Sequence, residues 1–213
     1  MVHVTRWLPT WRGAILRSAL LRLLLTGLLL VPATLAAGDR LLQASAPTMT
    51  RVFEALAPEL HVLHLALATV GTQRHVRVQV VLARTLVRGG LVIEAGPHQT
   101  AAASTPARNG LLAPLLAALA VAAWPLRDGR EALTRLLLCP ALLAWCWVDA
   151  PLVLASTLWQ PFAQAMAPGA VNALAGAEQF LAGGGRIAVG FSLAALVVAL
   201  ARLLASRETV PIS

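Results

Sequence analysis

The sequence predicts a membrane all-α fold: a bundle of about four transmembrane helices, with a small extracytoplasmic β-meander between the first two spans. Three observations lead there. The first is composition: of 213 residues, 58% are hydrophobic and 12% charged, and the mean hydropathy is +0.75. A soluble domain carries roughly 25% charged and about 45–50% apolar residues, so this chain cannot bury its apolar surface in one core and still cover itself with polar groups. The second is a series of apolar runs bounded by arginine. The third is a hydrophilic stretch, 38–109, in which the apolar period changes to two.

The first apolar run covers 16–37, with Arg6, Arg12, Arg17 and Arg22 preceding or entering it and Pro32 near its far end. Basic residues, an apolar core and the small residues 33–38 also fit a signal peptide. The basic region would be unusually long for one, and we expect an uncleaved anchor in which Arg17 and Arg22 snorkel towards head groups. Residues 48–57 predict a short amphipathic helix ended by Pro58. Residues 60–70 and 74–87 then read as strands separated by Gly71-Thr72-Gln73. In the second, Val76, Val78, Val80 and Leu82 share one face, and His75, Arg77 and Gln79 the other, as in a half-buried strand. Gly89-Gly90 reads as a turn, 91–95 as a third strand, and 97–109 as a polar linker.

Residues 110–126 predict the second span, at the lower length limit of ~17 residues, with Pro114 in its first turn, where a missing N–H matters least. Arg127, Asp128, Arg130, Glu131 and Arg135 predict a short charged loop. Residues 136–158 predict the third span, 160–185 a second outer loop with a Gly183-Gly184-Gly185 hinge, and 187–205 the fourth span. The expected division is therefore 1–37 (cytoplasmic N-terminus and first helix), 38–109 (periplasmic strand-rich loop) and 110–213 (three spans with short loops). Arginine marks the N-terminus, the 127–135 loop and the C-terminal tail, while 160–185 has none. The positive-inside rule then predicts both termini in the cytoplasm of a bacterial inner-membrane protein. The formal charge of +8 comes entirely from arginine. These arginines form no dense run and flank apolar segments, so we expect the lipid bilayer and no nucleic acid as partner. Lysine and tyrosine are absent, which together with the Ala, Leu, Arg and Gly content suggests GC-rich bacterial codon usage.

Chemistry is sparse. Asp149 lies inside an apolar run beside Pro151, where insertion costs about 2.5–3.5 kcal/mol at a helix centre. It is the candidate intramembrane polar contact, with Arg186 its expected partner in this chain and an arginine of another subunit the alternative; hydration at the outer interface is the plainer reading. Cys139 and Cys146 would stand roughly 10.5 Å apart along a helix, too far for a disulfide, and read as packing residues. His61 and His64, three apart in a strand, should face opposite sides, so we expect no shared metal there and a solvated surface that includes His75 and His98. Ala188, Ser192, Ala195 and Ala199 form a small-residue stripe and are the candidate helix-packing face. No GxSxG, HExxH, Walker A or CxxC motif is present, so no catalytic, metal or cofactor residues are assigned.

The order of parts resembles the small membrane proteins associated with exosortases, particularly the exosortase H-associated type. The resemblance is carried by the arginine-flanked residues 12–37, the strands 74–87 and 91–95, and the run Asn109-Gly110-Leu111-Leu112-Ala113-Pro114-Leu115. It covers most of the chain by layout, without a diagnostic motif and without an aromatic-rich first helix. It implies a non-catalytic partner of a membrane protease–transpeptidase in envelope protein sorting. The expectation is thus an accessory or structural subunit of an inner-membrane complex. The alternatives are a transporter or channel subunit using Asp149, and a membrane enzyme pairing Asp149 with outer-loop histidines.

Overall fold

A computed structural model describes residues 9–88, 91–96, 100–166 and 172–207. Arg6, the Gly89-Gly90 turn, Pro97, His98 and Pro168 lie outside them. Helix α1 (Pro9–Leu56) leads into strands β1 (Leu60–Val70), β2 (Gln73–Leu82), β3 (Leu86–Arg88), β4 (Leu91–Ile93) and β5 (Thr100–Pro106). Helices α2 (Ala107–Ala123) and α3 (Gly129–Leu138) follow. A 3-10 segment (Cys139–Trp145), α4 (Cys146–Met166), α5 (Ala173–Phe180), a π-helical turn (Leu181–Gly185) and α6 (Arg186–Arg207) complete the chain. Three helical runs are long and apolar enough to cross a membrane: Arg17–Leu56, Gly129–Ala165 and Ala173–Ser206. The apolar helix α2 is shorter, at 17 residues.

The expected first span and the expected short helix at 48–57 are one helix of 48 residues, which passes through the anticipated boundary at residue 37 with Pro32 and Pro47 inside it. A proline inside a helix costs about 3 kcal/mol. Beyond Gly38 the helix turns amphipathic, and Leu42, Met49 and Phe53 are at most 3% exposed. Each such burial contributes about 1.5–3 kcal/mol, enough together to hold the helix through Pro47.

The sheet differs from the meander expected. Its order is β1-β2-β5, all antiparallel, while β3 and β4 pair in a separate hairpin. The expected strand 74–87 ends at Leu82 and resumes at Leu86, and the third strand of the sheet, β5, occupies the stretch read as a linker. Thr-Ala-Ala-Ala-Ser-Thr-Pro has little intrinsic strand preference. The free edge of β2 orders it, pairing Val76 with Thr105 and Val78 with Ala103. Gly71, at φ 60°, makes the tight β1–β2 turn, where a residue with a Cβ is strained. Val76, Val78 and Val80 are buried as alternation requires, against Met49 and Phe53 of α1 and Leu154 and Leu158 of α4. The sheet and the long helices therefore share one core.

The remaining corrections concern the helices. The charged stretch 127–135 is not a loop, because α3 starts at Gly129. The run expected as the third span, 136–158, is not one uniform helix: Pro140 enters a 3-10 segment before α4 begins. Residues 160–185 are largely helical, since α4 continues to Met166 and α5 follows. The glycine hinge is a kink at Gly184, whose φ of 107° suits only glycine. A second core of Ala117, Val121, Leu142, Ala194, Val197 and Val198 joins α2, the 3-10 segment and α6.

Within the chain α6 packs through a face other than the small-residue stripe. Ala188, Ser192, Ala195 and Ala199 are all exposed. The helix packs through Gly190, Ala194, Val197, Val198 and Ala201, which are buried. A Cβ at Gly190 would lie 3.0 Å from the Ala113 carbonyl oxygen, so glycine there sets how closely α2 and α6 approach. The spacing rule was sound, but two small-residue stripes compete on this helix and only the second carries the glycine.

Candidate functional site

Two clusters of buried charge tie the helices together. In the first, α4 carries Asp149 and α6 begins with Arg186. The Arg186 guanidinium meets the carboxylate with two bonds: Nε donates to Oδ1 at 2.9 Å and Nη2 to Oδ2 at 3.3 Å. Asp149 is 1% exposed and Arg186 8%. Arg186 Nη1 also donates to the Leu181 carbonyl at 3.4 Å, in the π-helical turn that kinks at Gly184. Gly110, at the start of α2, accepts from the Cys146 thiol at 3.2 Å, and a Cβ on Gly110 would stand 3.9 Å from Asp149 Oδ2. One carboxylate thus sits where α2, α4 and α6 converge. Each of its oxygens accepts from a cation of the same chain, the partner expected within this chain.

The second cluster was not anticipated. Glu131 is 1% exposed and Arg135 3%, although both belong to the stretch read as a solvated loop. They form an ion pair one turn apart on α3. Arg202 of α6 donates Nε to Glu131 Oε1 at 3.0 Å, and the Arg127 backbone N–H donates to Oε2 at 2.9 Å. Asp128 caps α3 by accepting the Glu131 N–H at 2.7 Å. Arg135 Nη1 donates to the carbonyls of Val121 at 3.3 Å and Trp124 at 3.0 Å, and Nη2 to Pro125 at 2.9 Å. These are the orphan acceptors at the end of α2, where a cation also suits the helix dipole. The sequence held the signal. Asp128 followed three residues later by Glu131 is a capping pattern, and Glu131 with Arg135 is the favourable i, i+4 order.

Among the described residues the histidines do not assemble into a centre. Our parity argument separated His61 from His64, but the β1 register shifts between Val62 and His64, so His61 faces Val81 and His64 faces Gln79. Both therefore point to the outer face of the sheet. His61 Nδ1 instead meets Glu54 Oε1 of α1 at 2.9 Å, and the same oxygen accepts the Val62 N–H at 3.2 Å. Among the described residues no group of three His, Cys, Asp or Glu side chains could hold a metal. Cys139 and Cys146 are both free thiols.

Chemically, both clusters do the same work. A buried carboxylate is matched by arginine across two helices, and backbone groups left over at helix ends are satisfied by the same guanidinium. In the first cluster the Cys146 thiol donates to the Gly110 carbonyl, while the Asp149 carboxylate accepts from Arg186. No protein-family model, no curated protein and no solved structure matches the chain.

Proposed function

We propose that this chain is a non-catalytic structural subunit of a bacterial inner-membrane complex, crossing the bilayer four times with both termini in the cytoplasm and the β-sheet outside. The observation that carries this reading is the use of the buried charges. Asp149 is paired with Arg186, and Glu131 with Arg135 and Arg202, so these ionisable groups join helices. Two of the grooves along α1 have no charged side chain in their lining. Arginine at one end of the helices, at 127, 130, 135 and 202, supports the cytoplasmic assignment of that end. Helix α2 then crosses at its minimum length, its 17 residues rising about 25 Å.

The layout resemblance makes an exosortase-type enzyme of envelope protein sorting the first partner to test. The test is affinity purification of the tagged chain from native membranes, alongside ion flux in proteoliposomes. Co-purification of such an enzyme, with no flux, supports the proposal. Flux that is abolished by Asp149→Asn in a chain that still folds would reject it and favour a transporter.

A further inference from the structure

Of the three long apolar helical runs, the one in α1 has the least covered apolar stretch. Leu24, Leu28, Leu29 and Leu35 are 67%, 72%, 73% and 80% exposed. On one side of α1 a groove of about 760 Å³ opens, with the α1 segment from Leu23 to Pro32 as one wall, Phe191 of α6 opposite, and α2 from Leu116 to Ala123 as the floor. Its surface is almost entirely apolar.

Length and charge decide what fits. Nine residues of helix rise about 14 Å, half of a hydrocarbon core of ~30 Å. The groove therefore spans one leaflet, which suits an acyl chain and is too short for a helix that crosses. Its N-terminal end is also charged. Arg17 precedes Leu24, Leu28 and Val31 by seven, eleven and fourteen residues, which puts it on the same stripe of α1. Arg17 is exposed, and no ion pair joins it to any described residue. Trp124, immediately beyond the floor residue Ala123, is 39% exposed, and tryptophan favours the head-group level.

We propose that the groove between α1, α2 and α6 holds one acyl chain of an anionic phospholipid, with the lipid phosphate at Arg17. The assignment to the cytoplasmic leaflet rests on the topology proposed above; occupancy of the groove does not.

The test uses the full chain in nanodiscs of phosphatidylcholine and phosphatidylglycerol, in which one lipid or, in a parallel sample, the other carries a photoreactive acyl chain, and maps cross-links by mass spectrometry. Cross-links should concentrate at Leu24, Leu28 and Ala120. A Cβ at Gly27 would meet Leu119 at an ordinary 3.7 Å, so Gly27→Phe fills the groove from a position with room at its base and should abolish them. Ala123→Leu narrows the floor and serves if Gly27→Phe fails to fold. Arg17→Gln should leave the chain in the groove but lower the preference for phosphatidylglycerol over phosphatidylcholine about fivefold, as expected from about 1 kcal/mol per arginine near an anionic surface. Cross-links spread evenly around α1, or equal labelling by both lipids in the wild type, would overturn the proposal. So would cross-links between two copies at these residues, which would make a second chain the occupant. The cross-link positions are read whichever way the protein faces, and thiol labelling determines orientation separately.

Discussion

Removing the charge of Asp149 should be among the most damaging single changes in the chain. Asp149→Asn keeps the shape but leaves the Arg186 guanidinium, 8% exposed, without a counter-charge. The two hydrogen bonds, at 2.9 and 3.3 Å, lose their anionic acceptor, and whichever oxygen the amide nitrogen replaces, one of them becomes a clash of donors. Breaking a buried pair from one side costs about 3–5 kcal/mol. The converse variant, Arg186→Met, strands the carboxylate and should cost a similar amount. Replacing both partners, as Asp149→Leu with Arg186→Met, removes the unpaired charge and should recover most of the loss. A double-mutant cycle on unfolding in mixed detergent micelles reads these values. The expected coupling is at least about 2 kcal/mol, near the upper part of the range for residues sharing one network. Singles that each cost under ~1 kcal/mol, or a double variant as unstable as the sum of its singles, would refute the view that this pair joins α4 to α6.

The other variants test separate contacts. Glu131→Gln leaves Arg135 and Arg202 facing each other across a neutral group; a loss of about 3–5 kcal/mol is expected, with faster hydrogen exchange in α3 and at the end of α2. Ala194→Leu should destabilise by about 1–3 kcal/mol, because it overfills a contact that is 0% exposed. Ala195→Leu, on the exposed side, should stay within about 0.5 kcal/mol; equal effects in thermal unfolding would reverse the packing face. Gly184→Ala, at φ 107°, should cost about 1–3 kcal/mol of backbone strain and show as a lower Tm.

Much of this molecule is legible where one physical constraint dominates. Val76, Val78 and Val80 alternate strictly because one face of β2 meets a core, and the alternation survives in the sequence. The helix of residues 187–205 is read to within two residues of α6 because arginine stands at each end. The failures share a cause: the deciding contact was distant in sequence. Strand β5 is made by the edge of β2, some 25 residues away, and not by its own alanines. Pro32 stands near the expected end of the first run, yet the helix continues through it and through Pro47, beyond which burial of Met49 and Phe53 holds it. Glu131 and Arg135 look solvated beside three other charges, and become buried only because α6 brings Arg202 over them. For the same reason Asp149 could not be told from a hydrated interfacial carboxylate until Arg186 was seen against it.

The orientation of the sheet relative to α3 is the most direct test of a membrane scaffold of this form. In a background lacking Cys139 and Cys146, Gln79→Cys on the exposed face of β2 and Arg130→Cys at the start of α3 would be labelled in intact cells with a membrane-impermeant maleimide. The prediction is that position 79 reacts in intact cells, and position 130 only after the inner membrane is opened. Reaction of both positions from the same side would mean that α2 does not cross. Reaction of position 130 alone in intact cells would invert the topology.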